Sequence, residues 1–450
     1  MIVPAWGKLP RPSRDRRFVG KRFRARKVAG SLCLALVPLS CFSAAPMDPL
    51  MLPSARYPAS SAQRPGPPVS VPPSRTGASS GAASPVLSAV PTESRLARDT
   101  SATPLSWGPL RVRPHFDYRL YYATQVYVQP GERQDTVRHS LSPGLLLETA
   151  HLSVDYTPTL NYYSKGRFDD GVDHSVALNA NAGYGDWRFT IGHEYSKSSQ
   201  VLIETARQTD TENHTTTLNA TYLYSDRISF DFNLNQTIVE ASNFNSFRQW
   251  STMNWLNYVL SETTTLGAGL GGGFADVETG SDMTYERVQA RLGWEPGLKL
   301  SVDLNGGIEI RQFVDGNSDR INPIMGASIS YRIFDQTTLA LEADRSVNTS
   351  LLQDQITENT SVSAGLSQRL FGRLNASLKV GYRTTDYQAA SGSLVTDRTD
   401  ETMNIGLTIG TAFLDRGFAS IGYGHLENES SVDGFGFVSD QYTFQIGYRY

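Results

Sequence analysis

From His115 to its last residue the chain repeats one pattern: a large apolar side chain, then a polar one, for about ten to fourteen residues at a time. The closing stretch "QYTFQIGYRY" shows it without a break. Tyr442, Phe444, Ile446, Tyr448 and Tyr450 alternate with Gln441, Thr443, Gln445, Gly447 and Arg449. "RISFDFNLNQTI" sets Ile228, Phe230, Phe232 and Leu234 against Ser229, Asp231, Asn233 and Asn235. Period two is the signature of a strand with two unlike faces. Eighteen such runs are predicted, at about 115–128, 139–148, 151–163, 174–184, 187–199, 214–224, 227–240, 249–260, 263–275, 283–295, 298–312, 322–332, 336–347, 358–370, 373–387, 399–412, 416–428 and 440–450. The run at 249–260 is ambiguous in phase, and Pro143 interrupts the run at 139–148.

The connectors constrain the fold further, because their lengths alternate. Short ones are Gly185-Asp186, Ser225-Asp226, Ser261-Glu262, Pro296-Gly297, Phe334-Asp335, Phe371-Gly372 and Leu414-Asp415. Between them lie long polar stretches, among them "QPGERQDTVR", "KGRFDDGVD", "VLIETARQTDTEN" and "QAASGSLVTDR". Tight turns at one end of every hairpin and long loops at the other are the pattern of a bacterial outer-membrane barrel. A soluble sandwich has no reason to sort its loops by parity. The fold class expected is all-β: a transmembrane antiparallel β-barrel of about 18 strands.

In lipid every backbone N–H and C=O must be paired, so the sheet must close on itself. The last strand then pairs with the first, near His115 to Tyr127. Aromatic residues gather near strand ends, at Tyr162-Tyr163, Tyr184 and Trp187, Tyr222 and Tyr224, Trp250 and Trp255, Trp294, Tyr331, Tyr423, Tyr448 and Tyr450. They are expected as interfacial girdles, one end of each ring wet and the other apolar. Tyr448 and Tyr450 also resemble the carboxy-terminal signal read by the barrel-assembly machinery, with Tyr450 where Phe is usual.

The polar face of each strand should line the lumen. Its charged members are Asp117, Arg119, Asp155, Arg188, Glu194, Asp231, Arg287, Arg291, Lys299, Asp303, Glu309, Arg311, Glu342, Asp344, Lys379, Arg383 and Arg449. Charges of both signs in a pore set its selectivity, although any water-filled barrel needs a polar lining. The third long loop, Val201 to Asn213, opens with apolar "VLI" and is expected to fold inward and narrow the pore.

"RPHFDYRLYYATQVYV", "HSLSPGLLLETAHLSVDYTPTLNYYS" and "DHSVALNANAGYGDWRFTIGHEYS" resemble a family of β-barrel porins of Gram-negative outer membranes, often found near exopolysaccharide genes. The resemblance covers about 110–450. It implies outer-membrane lipid and lipopolysaccharide as surroundings, and polysaccharide-export components as partners. It names no substrate and offers no catalytic motif.

The amino-terminal region has a different composition. Residues 1–45 hold a basic block with ten Lys/Arg and one Asp, then "VAGSLCLALVPLSCFSAA", and are expected to be a secretory signal peptide. "PLSC" before Cys41 and "RRFVGK" are weak matches to a lipoprotein box and a twin-arginine signal. Residues 46–106 carry twelve of the 23 prolines and are expected to form a disordered periplasmic linker. The barrel is assigned to 107–450. Without residues 1–45 the balance is 31 Lys/Arg against 43 Asp/Glu, a net of about −12, which makes nucleic acid an improbable partner. Both cysteines, Cys33 and Cys41, lie in that leader, so zinc–thiolate and Cys chemistry are not expected.

No cofactor or metal is expected. "DGNSD" (Asp315 to Asp319) and Asp169, Asp170 and Asp173 have a spacing like that of calcium loops, but no Glu stands twelfth from Asp315, and they read as solvated turns. The seven histidines, His115, His139, His151, His174, His193, His214 and His425, are scattered, and neither G-x-S-x-G nor H-E-x-x-H occurs. The expected role is non-enzymatic: passage of polar solutes, saccharides among them. The alternative is a non-conducting structural or assembly barrel of an exopolysaccharide system. A plugged transporter is disfavoured, since 46–106 is too short and proline-rich to fold as a plug.

Overall fold

In the computed structural model, residues 105–450 are described except 165, 315–318, 354, 390–396 and 415. The expected signal peptide and nearly all of the expected linker therefore lie outside the described residues. A short β1 (Leu105–Trp107) precedes eighteen wall strands. These are β2 (Leu110–Gln129), β3 (Glu132–Glu148), β4 (Leu152–Tyr163), β5 (Gly171–Tyr184), β6 (Trp187–Leu202), β7 (Arg207–Leu223), β8 (Ile228–Ala241), β9 (Phe247–Ser261) and β10 (Thr264–Val277). They continue as β11 (Met283–Gly297), β12 (Leu300–Phe313), β13 (Arg320–Phe334), β14 (Thr337–Thr349), β15 (Gln355–Leu370), β16 (Leu374–Ala389), β17 (Arg398–Phe413), β18 (Gly417–Ser430) and β19 (Phe437–Arg449).

Each wall strand pairs antiparallel with its neighbours in sequence, and β19 pairs with β2 from Gln441↔Ala123 to Arg449↔His115. The Tyr450 amide donates to the Pro114 carbonyl, 2.9 Å. The result is a closed eighteen-strand antiparallel barrel with no free edge in its wall, as the alternation predicts. Below the end of β19 the edge of β2 is taken by β1, with Leu105↔Val112 and Trp107↔Leu110.

The two faces are as unlike as the sequence requires. On β19, Tyr442 and Tyr448 are 51% and 44% exposed on the outer face, while Gln441 and Gln445 of the same strand are 0% and 4% exposed on the inner. Outward apolar side chains run from the short-turn rim up each strand for about eight residues. There, phenols meet polar partners: Tyr118 with His139 (2.9 Å), Tyr156 with His174 (3.0 Å), Tyr195 with Glu212 (3.0 Å), Tyr382 with Glu401 (2.7 Å) and Tyr423 with Asp440 (2.8 Å). Eight residues of a strand tilted by ~40° rise about 20 Å along the barrel axis. That is close to the ~25 Å apolar band of membrane barrels.

The ambiguous phase of β9 has a physical cause. Its inner face carries Met253 and Trp255, both buried. They fit because the inner face of β10 is bare. A Cβ at Gly269 would lie 2.5 Å from Met253 and 2.6 Å from Trp255, and one at Gly273 would lie 2.3 Å from the Tyr285 ring. The glycines form a floor on which the neighbouring strands lay their large side chains. Pro143 interrupts less than expected. β3 runs straight through it, and only the pairing with β4 lapses, between Leu141↔Leu160 and Leu145↔Tyr156, because proline has no N–H to give.

The long connectors are mostly not loops. β6 and β7 run on to Leu202 and from Arg207, so "VLIETARQTDTEN" is a continued hairpin with only residues 203–206 as its turn. β2 and β3 likewise meet at Pro130-Gly131. Cross-strand pairing persists above the apolar band because Thr, Val and Gln are good strand residues in water too.

Gly307 gives a sharp test of this wall. A Cβ there would stand 1.9 Å from the Val288 carbonyl oxygen, a backbone atom that cannot swing away. Gly307→Ala is expected to destabilise the barrel by about 1–3 kcal/mol through overpacking. Gly365→Ala, whose nearest such contact is 4.0 Å, should change little. Equilibrium urea unfolding of the refolded proteins compares the two.

Candidate functional site: the lumen and its roofed mouth

The inner face carries two sets of charges. Arg188, Glu194, Lys299, Asp303, Glu342, Asp344, Lys379 and Arg383 stand exposed on the face opposite the outward apolar residues. Asp344 accepts from the Ser346 hydroxyl, 3.0 Å. Asp117, Arg119, Asp155, Asp231, Arg287, Arg291, Glu309, Arg311 and Arg449 share that inner face but are half-buried or buried.

Several of these charges are tied into one patch over β8 to β12. Arg291 pairs with Asp231 (2.5 Å) and donates through Nε to Asn257 Oδ1 (2.9 Å), while its guanidinium stacks on Trp255, 4.5 Å from the ring centre. Glu309, fully buried, accepts from Arg287 Nε (2.6 Å) and from Arg311 Nη2 (2.8 Å). Arg287 and Arg311 lie 4.6 and 5.0 Å from the Tyr285 ring centre. Arg311 also reaches the Val347 carbonyl, 3.1 Å. On the seam, Asp117 accepts from Gln445 Nε2 (3.2 Å), and His115 sits 3.8 Å from Asp155 over the gap that Pro143 leaves. Tyr448 faces outward near the end of β19, and Arg416 lies 4.1 Å from the centre of the Tyr450 ring.

The mouth at the long-connector end is roofed from inside. β5 pairs with β6 only up to Lys197, and β8 with β7 only down to Thr211. Residues 198–210 therefore form an arm whose strands pair solely with each other, Ser199↔Asp210 through Leu202↔Arg207. The arm reaches contacts from the far side of the ring. Glu204 at its tip accepts from Ser350 Oγ (2.5 Å) and the Leu351 amide (2.8 Å), both in the β14–β15 connection. β6 and β15 are nine strands apart by either route round an eighteen-strand ring. Both terminal nitrogens of Arg398, on β17, donate to the Glu204 carbonyl at 3.2 Å.

The opposite wall comes to meet the arm. β13 pairs with β14 only as far as Met325↔Arg345, so Ser346 to Thr349 leave the wall with β15 alone. Behind them Arg320 of β13 closes the gap by donating to Gln388 and to the Ala389 carbonyl (2.8 Å) of β16. Two apolar clusters then fill the mouth. Val201, Ile203 and Ala206 pack with Tyr127, Phe168, Leu426 and Phe437 on one side of the arm. Leu202 packs with Val239, Phe247, Met283, Phe313, Leu351 and Ile356 on the other. A bulge at Gln125, φ 51°, turns the end of β2 so that Val126 and Tyr127 can both join the first cluster.

The expectation of an inward third loop thus finds a specific geometry. The charged residues that hold it, Glu204 and Arg398, did not stand out in the sequence. Each sat in a stretch read as external loop, and no local signal links positions 194 residues apart.

No family model and no curated protein matches the chain. Among solved structures it is similar to OccK2 (OpdF) of Pseudomonas aeruginosa, at 12% identity over 75% of this chain and 97% of that one, TM-score 0.43. It is similar to OpdO of the same organism, at 15% identity, 75% and 97% coverage, TM-score 0.43. It is also similar to the outer-membrane protein OpdK of P. aeruginosa, at 11% identity, 75% and 98% coverage, TM-score 0.41.

The buried charge network yields a stability test. Removing Arg311, 1% exposed, leaves the Glu309 carboxylate buried with one partner fewer. Arg311→Met should cost about 3–5 kcal/mol. Arg167→Met, whose pair with Glu132 is largely in water, should cost under ~1 kcal/mol. Urea midpoints of the two variants against the parent decide it.

Proposed function

We propose that this chain is a Gram-negative outer-membrane channel for small polar solutes, exported to that membrane and closed at its outer mouth in the state seen here. One observation carries the reading: a seamless wall whose outer face is an apolar band about 20 Å high and whose inner face is charged. A soluble protein would expose such a band at the cost of aggregation. The Tyr, His and acidic residues above the band suit the lipopolysaccharide boundary, and the terminal Tyr448 and Tyr450 suit recognition by the barrel-assembly machinery.

The lining favours solutes held by charge and hydrogen bonds over sugars held by stacking. Tyr121, Trp255, Tyr285 and Tyr387 face inward, but each is buried beneath an arginine: Arg138, Arg291, Arg287 with Arg311, and Arg398 respectively. Stacking on a sugar needs an open ring face. Saccharides and a link to exopolysaccharide export remain to be tried as cargo and context on the strength of the sequence resemblance alone.

A second reading has its own support. The packed roof is what a non-conducting structural barrel would have. Planar-bilayer recording separates the two. The channel reading expects discrete conductance steps from the full chain and larger ones once residues 202–210 are deleted. Silence from both would leave only the structural barrel. The membrane part is tested apart from conduction: Leu407→Arg, outward on β17, should cost about 2–4 kcal/mol of folding in lipid, whereas Ser377→Arg, inward on β16, should be tolerated.

A further inference from the structure

The arm that roofs the mouth is not part of the wall, and its hold on the far side is narrow. Its four cross-strand pairs extend about 13 Å, against a diameter of roughly 36 Å for eighteen strands at ordinary spacing and tilt. Its tip is met by the β14–β15 connection. Its apolar contacts clothe both faces, which is why "VLI" loses the alternation found elsewhere. Its polar contacts with the far side converge on one residue. The Glu204 carboxyl takes the Ser350 hydroxyl and the Leu351 amide, and the Glu204 carbonyl takes both ends of Arg398. Arg398 is itself fixed between the Tyr387 and Phe435 rings, 3.8 and 4.1 Å from their centres, and lies 3.2 Å from Asp400.

We propose that the 198–210 arm is a gate and that Glu204, Ser350, Leu351 and Arg398 are its latch, the channel opening when the tip lets go of the β14–β15 connection and β17. The proposal rests on the channel reading above. A plug meant to stay would be better made with an apolar tip, since burying a carboxyl costs desolvation that hydrogen bonds only offset. A carboxyl makes closure conditional on protons.

The direction of that condition follows from the surroundings. Facing the Glu204 carboxyl are Ser350 and the amides of Leu351 and Leu352 from the β14–β15 connection, Arg398 from β17, and Tyr387 from β16, with Asp400 behind Arg398. Burial pushes its pKa up, and the hydroxyl, the amides and Arg398 only partly oppose this. The docked tip therefore binds its proton more tightly than a solvated tip. Docking is at full strength below the ordinary carboxyl range and weakens as pH rises through the raised value. The gate is shut in acid and opens towards neutral pH.

The test is single-channel recording of the full chain in planar bilayers from about pH 4 to pH 8. The open-to-closed ratio should rise by about tenfold per pH unit between the ordinary and raised carboxyl values, then level off. Glu204→Gln, which keeps the acceptor oxygen and cannot ionise, should stay shut throughout. Ser350→Ala and Arg398→Met should raise the open fraction at every pH. A variant lacking 200–208, folded by circular dichroism, serves as the reference. If it conducts while Glu204→Gln and the parent gate alike across the range, the latch is wrong and the channel stands. If it is silent, the channel reading fails and the latch with it.

Discussion

Closure of the hydrogen-bond ladder is the constraint on which everything else here depends. A strand buried in hydrocarbon cannot leave its amides unpaired, and nine contacts between β2 and β19, from Gln441↔Ala123 to Arg449↔His115, remove the last edge. Once the ring is closed, each residue of the wall has only two choices, outward or inward, and the period of two assigns them. Below the end of β19 the edge of β2 is occupied by β1.

The wall and the mouth obey different physics. Within the apolar band, pairing lapses only beside Pro143, and the large inward Met253, Trp255 and Tyr285 lie over the β10 glycines. Above the band, strands are free to part from their neighbours, and three sets do so: β6 with β7, β14 with β15, and the end of β2 with β3. What they bury at the mouth is an ordinary apolar core, built inside a ring whose lower half is charged. Stability and function pull against each other at Glu204. The carboxyl is a poorer core residue than leucine would be, and that shortfall is what would make the roof movable.

The sequence was most informative where one local rule governs. All eighteen strands, the closing pair and the parity of the turns were legible because alternation acts over every two residues. Boundaries at the external ends were not, since threonine-rich pairing in water looks like polar loop: "VLIETARQTDTEN" is hairpin apart from four residues. β9 resisted assignment because Trp255 and Met253 face inward, a choice that only the glycines of the next strand make sensible. The roof was legible as a tendency of the third loop to turn in. Its partners were not, because Glu204, Ser350 and Arg398 meet across the ring, and nothing in a linear pattern reports which hairpins lean inward.

The most direct measurement of the central claim is the accessibility of single spin labels along β16. The chain used would have Cys33 and Cys41 replaced, would be refolded into lipid, and would be labelled one position at a time from 376 to 383. The account expects labels at 376, 378, 380 and 382 to be relaxed by oxygen dissolved in the bilayer, and those at 377, 379, 381 and 383 by a water-soluble nickel chelate, alternating residue by residue. Equal response of neighbouring positions to both reagents would contradict it.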